Sequence, residues 1–183
     1  AVSAFKQGQP IGDGIGPMIV GKMMLDTEKK SIELETVWSE KDFESRKIYL
    51  LKAEGPAATV GRPADALEKI LVDKKPDIIV MVDAALKLEG EDTGSIAQGF
   101  GAAIGGIGTE RFQIEEIATN HKIPIYAIVI KQSIKEAITL MKKEISDTSD
   151  KVANQIYDII KYNTKTGQCA LIIGVGNTLG VSQ

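Results

Sequence analysis

Three short apolar runs constrain this chain more than any other feature: residues 77–82 (DIIVMV), 123–130 (IPIYAIVI) and 169–173 (CALII). Apolar residues that run on without alternation, over the length of a strand, are typical of parallel strands covered on both faces. The stretches between them read as helices. Residues 63–74 open on Pro63, which suits a first helical turn, and place Ala66, Leu67, Ile70 and Leu71 on one face. Residues 17–25 open on Pro17 in the same way, and residues 109–121 and 150–162 also predict helices. Ser133 and Glu136 form an S-x-x-E capping box before a helix expected to carry Ile134, Ile138, Met141 and Ile145. Residues 31–38 and 47–53 are rich in β-formers and predict two strands on either side of the polar segment 39–46.

Strands alternating with helices predict an α/β fold, a three-layer α/β/α sandwich with a mostly parallel central sheet. No repeat, low-complexity tract or long linker divides the 183 residues, so residues 1–183 are expected to form a single domain.

A net charge of −3, with lysines scattered among acidic residues, excludes the basic patch of a nucleic-acid binder. No apolar stretch approaches the length that spans a bilayer, so no membrane contact is expected from this segment. The opening AVSAFKQGQP lacks the basic start and long apolar core of a secretory signal. A chain that begins with Ala rather than Met is expected to be a piece of a longer protein. The lone Cys169 rules out an intrachain disulfide and fits a reducing, cytoplasmic setting. Placed in an apolar strand, it reads as inert core. His121, the single histidine, reads as a helix C-terminal cap, and it cannot by itself supply a His-based triad or a multi-His metal site.

Ligands of open parallel sheets gather beyond the carboxyl ends of the strands. Asp83 follows five consecutive apolar residues there, where partial desolvation raises a carboxyl pKa and suits it to proton transfer. Asp13 lies in Gly12-Asp13-Gly14-Ile15-Gly16-Pro17, just before a helix whose N-terminus favours an anion, so it is expected to stay ionised. Two carboxylates with opposed tendencies serve acid–base hydrolysis. A turn or cap Asp is the competing reading at both positions. Gly174-x-Gly176-x-x-x-Gly180 is not expected to act as a dinucleotide loop, since the residues after it in this sequence hold no helix to receive a pyrophosphate.

Residues 49–83 combine a Gly-x-x-x-x-x-Gly loop, a helix, Lys-Pro-Asp, an apolar strand and an Asp-Ala pair; with them go Asp92-Thr93-Gly94, Gly105-Gly-Ile-Gly108-Thr-Glu-Arg111, the strand from Ile123 and Asp13-Gly-Ile-Gly-Pro17. In that order and spacing the motifs resemble the germination protease and hydrogenase maturation protease group, over about two thirds of the chain. The chain is also similar to an archaeal family of uncharacterised proteins. The resemblance implies a peptidase-like hydrolase acting on a peptide or protein, with Asp13 and Asp83 as the catalytic positions. It implies substrate contacts at Gly12, Gly14, Asp92, Thr93, Gly94, Gln98 and Asn177 in a Gly-rich cleft rimmed by residues 90–108. In those proteases the strand carrying Gly-x-Gly-Asn comes first, whereas here Leu171-Ile-Ile-Gly-Val-Gly-Asn177 comes last, which implies a circular permutation. The hydrogenase proteases use a metal-binding His where this chain has Gln98.

Two alternatives stay open beside the hydrolase: an inactive peptide- or small-ligand-binding module, and a divalent-metal variant holding its ion with Asp13, Asp83, Glu89 and Glu91. Whether the chain is an enzyme, and whether it forms a homo-oligomer, is undecided at this level. An Asn at position 13 or 83 is expected to leave the fold about as stable.

Overall fold

A computed structural model of the chain describes residues 9–32, 35–55, 60–101 and 109–181. Among these residues the fold is mixed α/β, built on a seven-stranded sheet: β1 (Lys30–Ile32), β2 (Thr36–Phe43), β3 (Arg46–Ala53), β4 (Ile78–Leu86), β5 (Ile96–Phe100), β6 (Ile125–Gln132) and β7 (Cys169–Gly174). Their order across the sheet is β1-β2-β3-β7-β4-β6-β5. The four central strands are mutually parallel, and the antiparallel pairings lie at the two sides, so the sheet is mostly parallel. The last strand of the chain, β7, sits in the middle between β3 and β4 and parallel to both, as expected for residues 169–173.

The buried runs explain this order. Side chains alternate across a strand, and β4 sends Ile78, Val80 and Val82 into one apolar cluster and Ile79 and Met81 into another. The first cluster is closed by α1 (Ile15–Met23) and by α6 (Ser149–Asn163) through Ile19, Val20, Val152 and Ile156. The second is closed by α2 (Pro63–Asp73) and α3 (Thr109–Asn120) through Leu67, Ile70 and Ile114. A strand buried on both sides has no solvent face on which to place polar residues, hence the apolar runs 78–82, 125–130 and 169–173 of β4, β6 and β7.

Three expectations fail for identifiable reasons. The polar segment 39–46 is no long connection, because β2 continues through it to Phe43. Only Glu44 and Ser45 turn, both at positive φ, which is the geometry of a tight hairpin. The Gly-rich stretch contains a strand, β5, and the motif at Gly105–Gly108 lies outside the described residues. The helix after the Ser133–Glu136 capping box forms with both reciprocal hydrogen bonds but stops after one turn as α4 (Ile134–Ala137), and α5 (Lys143–Ser146) is separate. Its continuation is intercepted by the chain start: Met141 donates its N–H to the Pro10 carbonyl, and the Thr139 carbonyl accepts from Gly12. Ile134 and Ile138 consequently remain exposed, at 66% and 51%.

Candidate functional site

The site begins with a close backbone approach. A β-carbon on Gly16 would lie 2.4 Å from the Val82 carbonyl oxygen and 2.6 Å from that of Val175, so the start of α1 rests directly on the ends of β4 and β7. Gly176 has φ +143, and a β-carbon there would lie 2.1 Å from the Asp13 carbonyl oxygen. The two glycine motifs, read separately in the sequence, therefore interlock, because only glycine lets two backbones meet this closely. Asp13 sits in a 3-10 turn, Gly12–Gly14, ahead of α1, and its Oδ2 accepts the backbone N–H of Asn177 at 3.1 Å. The N-cap of α1 is Gly14, with no side-chain cap, so Asp13 is not a capping residue.

Asp83 lies within β4, which continues four residues beyond the expected strand end at Val82. It is 6% exposed, and its neighbours are specific. Oδ1 accepts the N–H of Ala84 at 2.7 Å, and Oδ2 accepts Nε–H of Arg111 at 2.5 Å. Arg111, itself buried, also donates through Nη2 to the Ala84 carbonyl. Asp13, Asp83, Arg111, Glu110, Val60 and Val175 line one cavity of about 310 Å³ at the carboxyl end of β4. Both expected carboxylates thus face a single cavity.

Burial pushes the Asp83 carboxyl up to about 7, against the Arg111 guanidinium and the Ala84 N–H; the Asp13 charge nearby adds to the rise. Asp13 is also raised, by burial first, with the Asn177 N–H and Arg111 pulling down. The helix-terminal N–H expected to hold Asp13 down is not its partner: its one backbone donor is Asn177, and burial raises the carboxyl from its ordinary value.

Arg111, which closes the Gly105–Arg111 motif, is a site residue that the motif alone does not single out. It is the third residue of α3, and a cation in the first turn of a helix opposes the helix dipole. That conflict is a signal that the side chain answers to a carboxylate elsewhere. Glu110, beside it, accepts the Ala64 N–H at 2.7 Å and ties the start of α2 to the start of α3.

The other expected positions divide. Gly12 and Gly14 belong to the turn carrying Asp13; the Gly12 carbonyl accepts from Gln132 Nε2 at 3.0 Å. Asn177 reaches the site through its backbone, while its side-chain Oδ1 accepts the Leu179 N–H. Asp92, Thr93 and Gly94 do not line the cavity. Asp92 is exposed, Thr93 donates to the Glu136 carboxylate at 2.9 Å, and Gly94 donates its N–H to the Lys131 carbonyl. Thr93 clasps the β4–β5 connection to α4, and Gly94 ties it to β6. Gln98 is exposed on β5 and borders a different hollow, with Phe100 and Tyr126.

Among the described residues no three His, Cys, Asp or Glu side chains group closely enough to hold a metal ion, so Glu89 and Glu91 do not complete a site with the two aspartates. Glu89 is exposed, Glu91 pairs with Lys131 at 3.7 Å, and the cation beside Asp83 is Arg111. Cys169 is only partly buried; its Sγ donates to the Lys75 carbonyl and burial raises its thiol pKa, so it is a strand-end residue and not deep core.

Over 147 residues the chain is 28% identical to the germination protease of Clostridium perfringens, a match covering 78% of this chain and 43% of that protein, and equal in two strains. The chain thus spans less than half the length of these relatives. Its fold is similar to the crystal structure of a Mycobacterium tuberculosis proteasome-assembly chaperone homologue, with a TM-score of 0.52 over 87% of this chain and 84% of that one. At 9% identity that likeness concerns the fold alone. No helix among the described residues is long and apolar enough to cross a membrane. Residues 11–182 match the family described as "Domain of unknown function (DUF1512) C-terminal", and the chain belongs to that family.

Proposed function

We propose that this domain is a peptidase-like hydrolase working through Asp13 and Asp83 in the cavity at the carboxyl end of β4. The observation that carries the reading is the convergence of both carboxyls and Arg111 on one small cavity. Asp13 is the more accessible of the two, and it is the group placed to take a proton from an attacking water. Asp83, raised to about 7 by burial, holds or gives a proton to the scissile carbonyl, with Arg111 fixing its orientation. The similarity to a germination protease supports this class of reaction. In this reading the helices on the two sides of the sheet make a three-layer sandwich and the chain acts as one domain. The packing of Gly16 and Gly176 at the end of β7 is the juxtaposition that a circular permutation of the protease pattern would keep.

The test is hydrolysis of a quenched-fluorescent peptide library by the parent and by Asp13→Asn. An amide keeps the acceptor for the Asn177 N–H but cannot move a proton, so cleavage should fall at least a hundredfold, the order of a lost general base. Cleavage that is equal in both proteins refutes the dyad. A parent that binds library peptides without cutting them moves the domain to the second reading, a peptide-binding module.

A further inference from the structure

The two edges of the sheet are built differently. β1 is three residues long and carries Lys30, the usual protection of an edge against pairing. β5 is five residues long, Ile-Ala-Gln-Gly-Phe, without a charge, and among the described residues it pairs only with β6. Gly101 donates its N–H inward to the Ile125 carbonyl. In an antiparallel ladder alternate residues pair inward, so Gly99 and Ala97 follow Gly101, and Ile96, Gln98 and Phe100 direct their backbone N–H and C=O groups outward. Beside this edge Phe100 is 61% exposed and Tyr162 of α6 is 94% exposed.

We propose that β5 pairs antiparallel with β5 of a second copy of this chain, about a twofold axis at Gln98, joining two sheets into one. Antiparallel pairing of a strand with itself is the self-complementary contact that a twofold axis requires. With the axis at Gln98, the three outward residues meet as hydrogen-bonded pairs, supplying about six backbone hydrogen bonds. Phe100 then faces Ile96 of the second copy, an aromatic–β-branched cross-strand pair, and Gln98 faces Gln98. No like charges meet along the strand, because it has none. Ile96, Gln98 and Phe100 share the α6 side of the sheet, since Ile96 packs into the cluster that α6 closes and Phe100 meets Tyr126 edge-on at 4.9 Å. Pairing therefore also covers the hollow lined by Gln98, Tyr126 and Tyr162.

Sedimentation velocity of the whole chain over a wide concentration range tests this. The parent is expected at twice the mass of one chain. Gln98→Lys puts two ammonium groups opposite each other at the axis, and Gln98→Glu two carboxylates; each variant alone should sediment as a monomer. Position 98 is exposed in the single chain, so both should keep the parent's far-UV circular dichroism and a cooperative melt. Mixing the two variants should restore the dimer, because Lys then meets Glu; a variant that had merely lost its fold would not recover. A monomeric parent overturns the proposal, as do dimers that persist in the Lys variant. A monomeric parent that binds an extended peptide at β5 also overturns it, since the edge would then serve a foreign strand.

Discussion

Asp83 and Glu136 are each 6% exposed, and each has a cation beside it, yet they titrate in opposite directions. Burial pushes Asp83 up to about 7, while the Ser133 N–H, then Lys142, hold Glu136 down to about 2. The difference lies in what replaces water. Glu136 terminates a capping box, accepting from the Ser133 N–H at 2.8 Å, from Thr93 Oγ1 and from Lys142, whose side chain remains 56% exposed. Asp83 has one backbone donor and a guanidinium that is as buried as itself. A carboxylate fully supplied with donors is fixed in one protonation state and serves the fold. One that is under-supplied in a dry place can change state, which is what proton transfer needs.

The cations should reveal the contrast most sharply. Arg111→Ala leaves Asp83 buried with a single donor and the Ala84 carbonyl short of one, at a cost of about 3–5 kcal/mol in urea unfolding at pH 8. Lys142→Ala removes a solvent-exposed partner and should cost far less than Arg111→Ala. Equal losses would mean that the two pairs are alike.

Changing the pH should then separate the carboxylates. Asp83 has a folded value raised from 3.8 to about 7, so its contribution to stability is complete below pH 4 and is lost as pH rises to 7. Glu136 has a folded value lowered from 4.5 to about 2, so its contribution is complete above pH 4.5 and is lost as pH falls towards 2. Unfolding midpoints of the parent should therefore decline on both sides of a maximum near pH 4–5. Asp83→Asn should flatten the alkaline arm, an effect of at most a few kcal/mol, and Glu136→Gln the acid arm. An alkaline arm unchanged in Asp83→Asn would show that Arg111 keeps Asp83 ionised throughout.

How much of this was legible beforehand follows from what each residue depends on. β4, β6 and β7 were visible because burial on both faces leaves an apolar run without alternation through most of each strand. The second half of β2 was not, since Ser39, Glu40, Lys41 and Asp42 have the composition of a loop although only Asp42 among them is exposed. The end of α4 was invisible for a different cause: hydrogen bonds from Pro10 and Gly12, more than 120 positions away, stop it. Asp13 and Asp83 could be picked out by their places at a glycine turn and a strand rim, while the partner that orients Asp83 comes from a helix 28 residues further on. Asp92-Thr93-Gly94 had the look of a site motif, yet Thr93 donates to Glu136 of α4, Gly94 donates to Lys131 of β6, and the close backbone contact of Gly94 is Glu144 of α5.

The smallest effects test that last distinction. Thr93→Val removes the hydroxyl that donates to Glu136 and accepts from Lys87 Nζ at 3.1 Å. With the bond partly buried and Glu136 retaining its other donors, the loss should be about 1 kcal/mol, with unchanged peptide cleavage. Asp92 is exposed and supplies a backbone carbonyl to the Ser95 N–H, a bond that no side-chain change removes. Asp92→Asn should therefore shift stability by no more than about 0.5 kcal/mol, as ordinary surface substitutions do. It should also leave peptide cleavage at the parent rate, because nothing of Asp92 borders the cavity of Asp13 and Asp83. A drop in cleavage at unchanged stability would place substrate over the β4–β5 connection after all. It would turn the clasp around Glu136 from a piece of scaffold into one wall of the cleft.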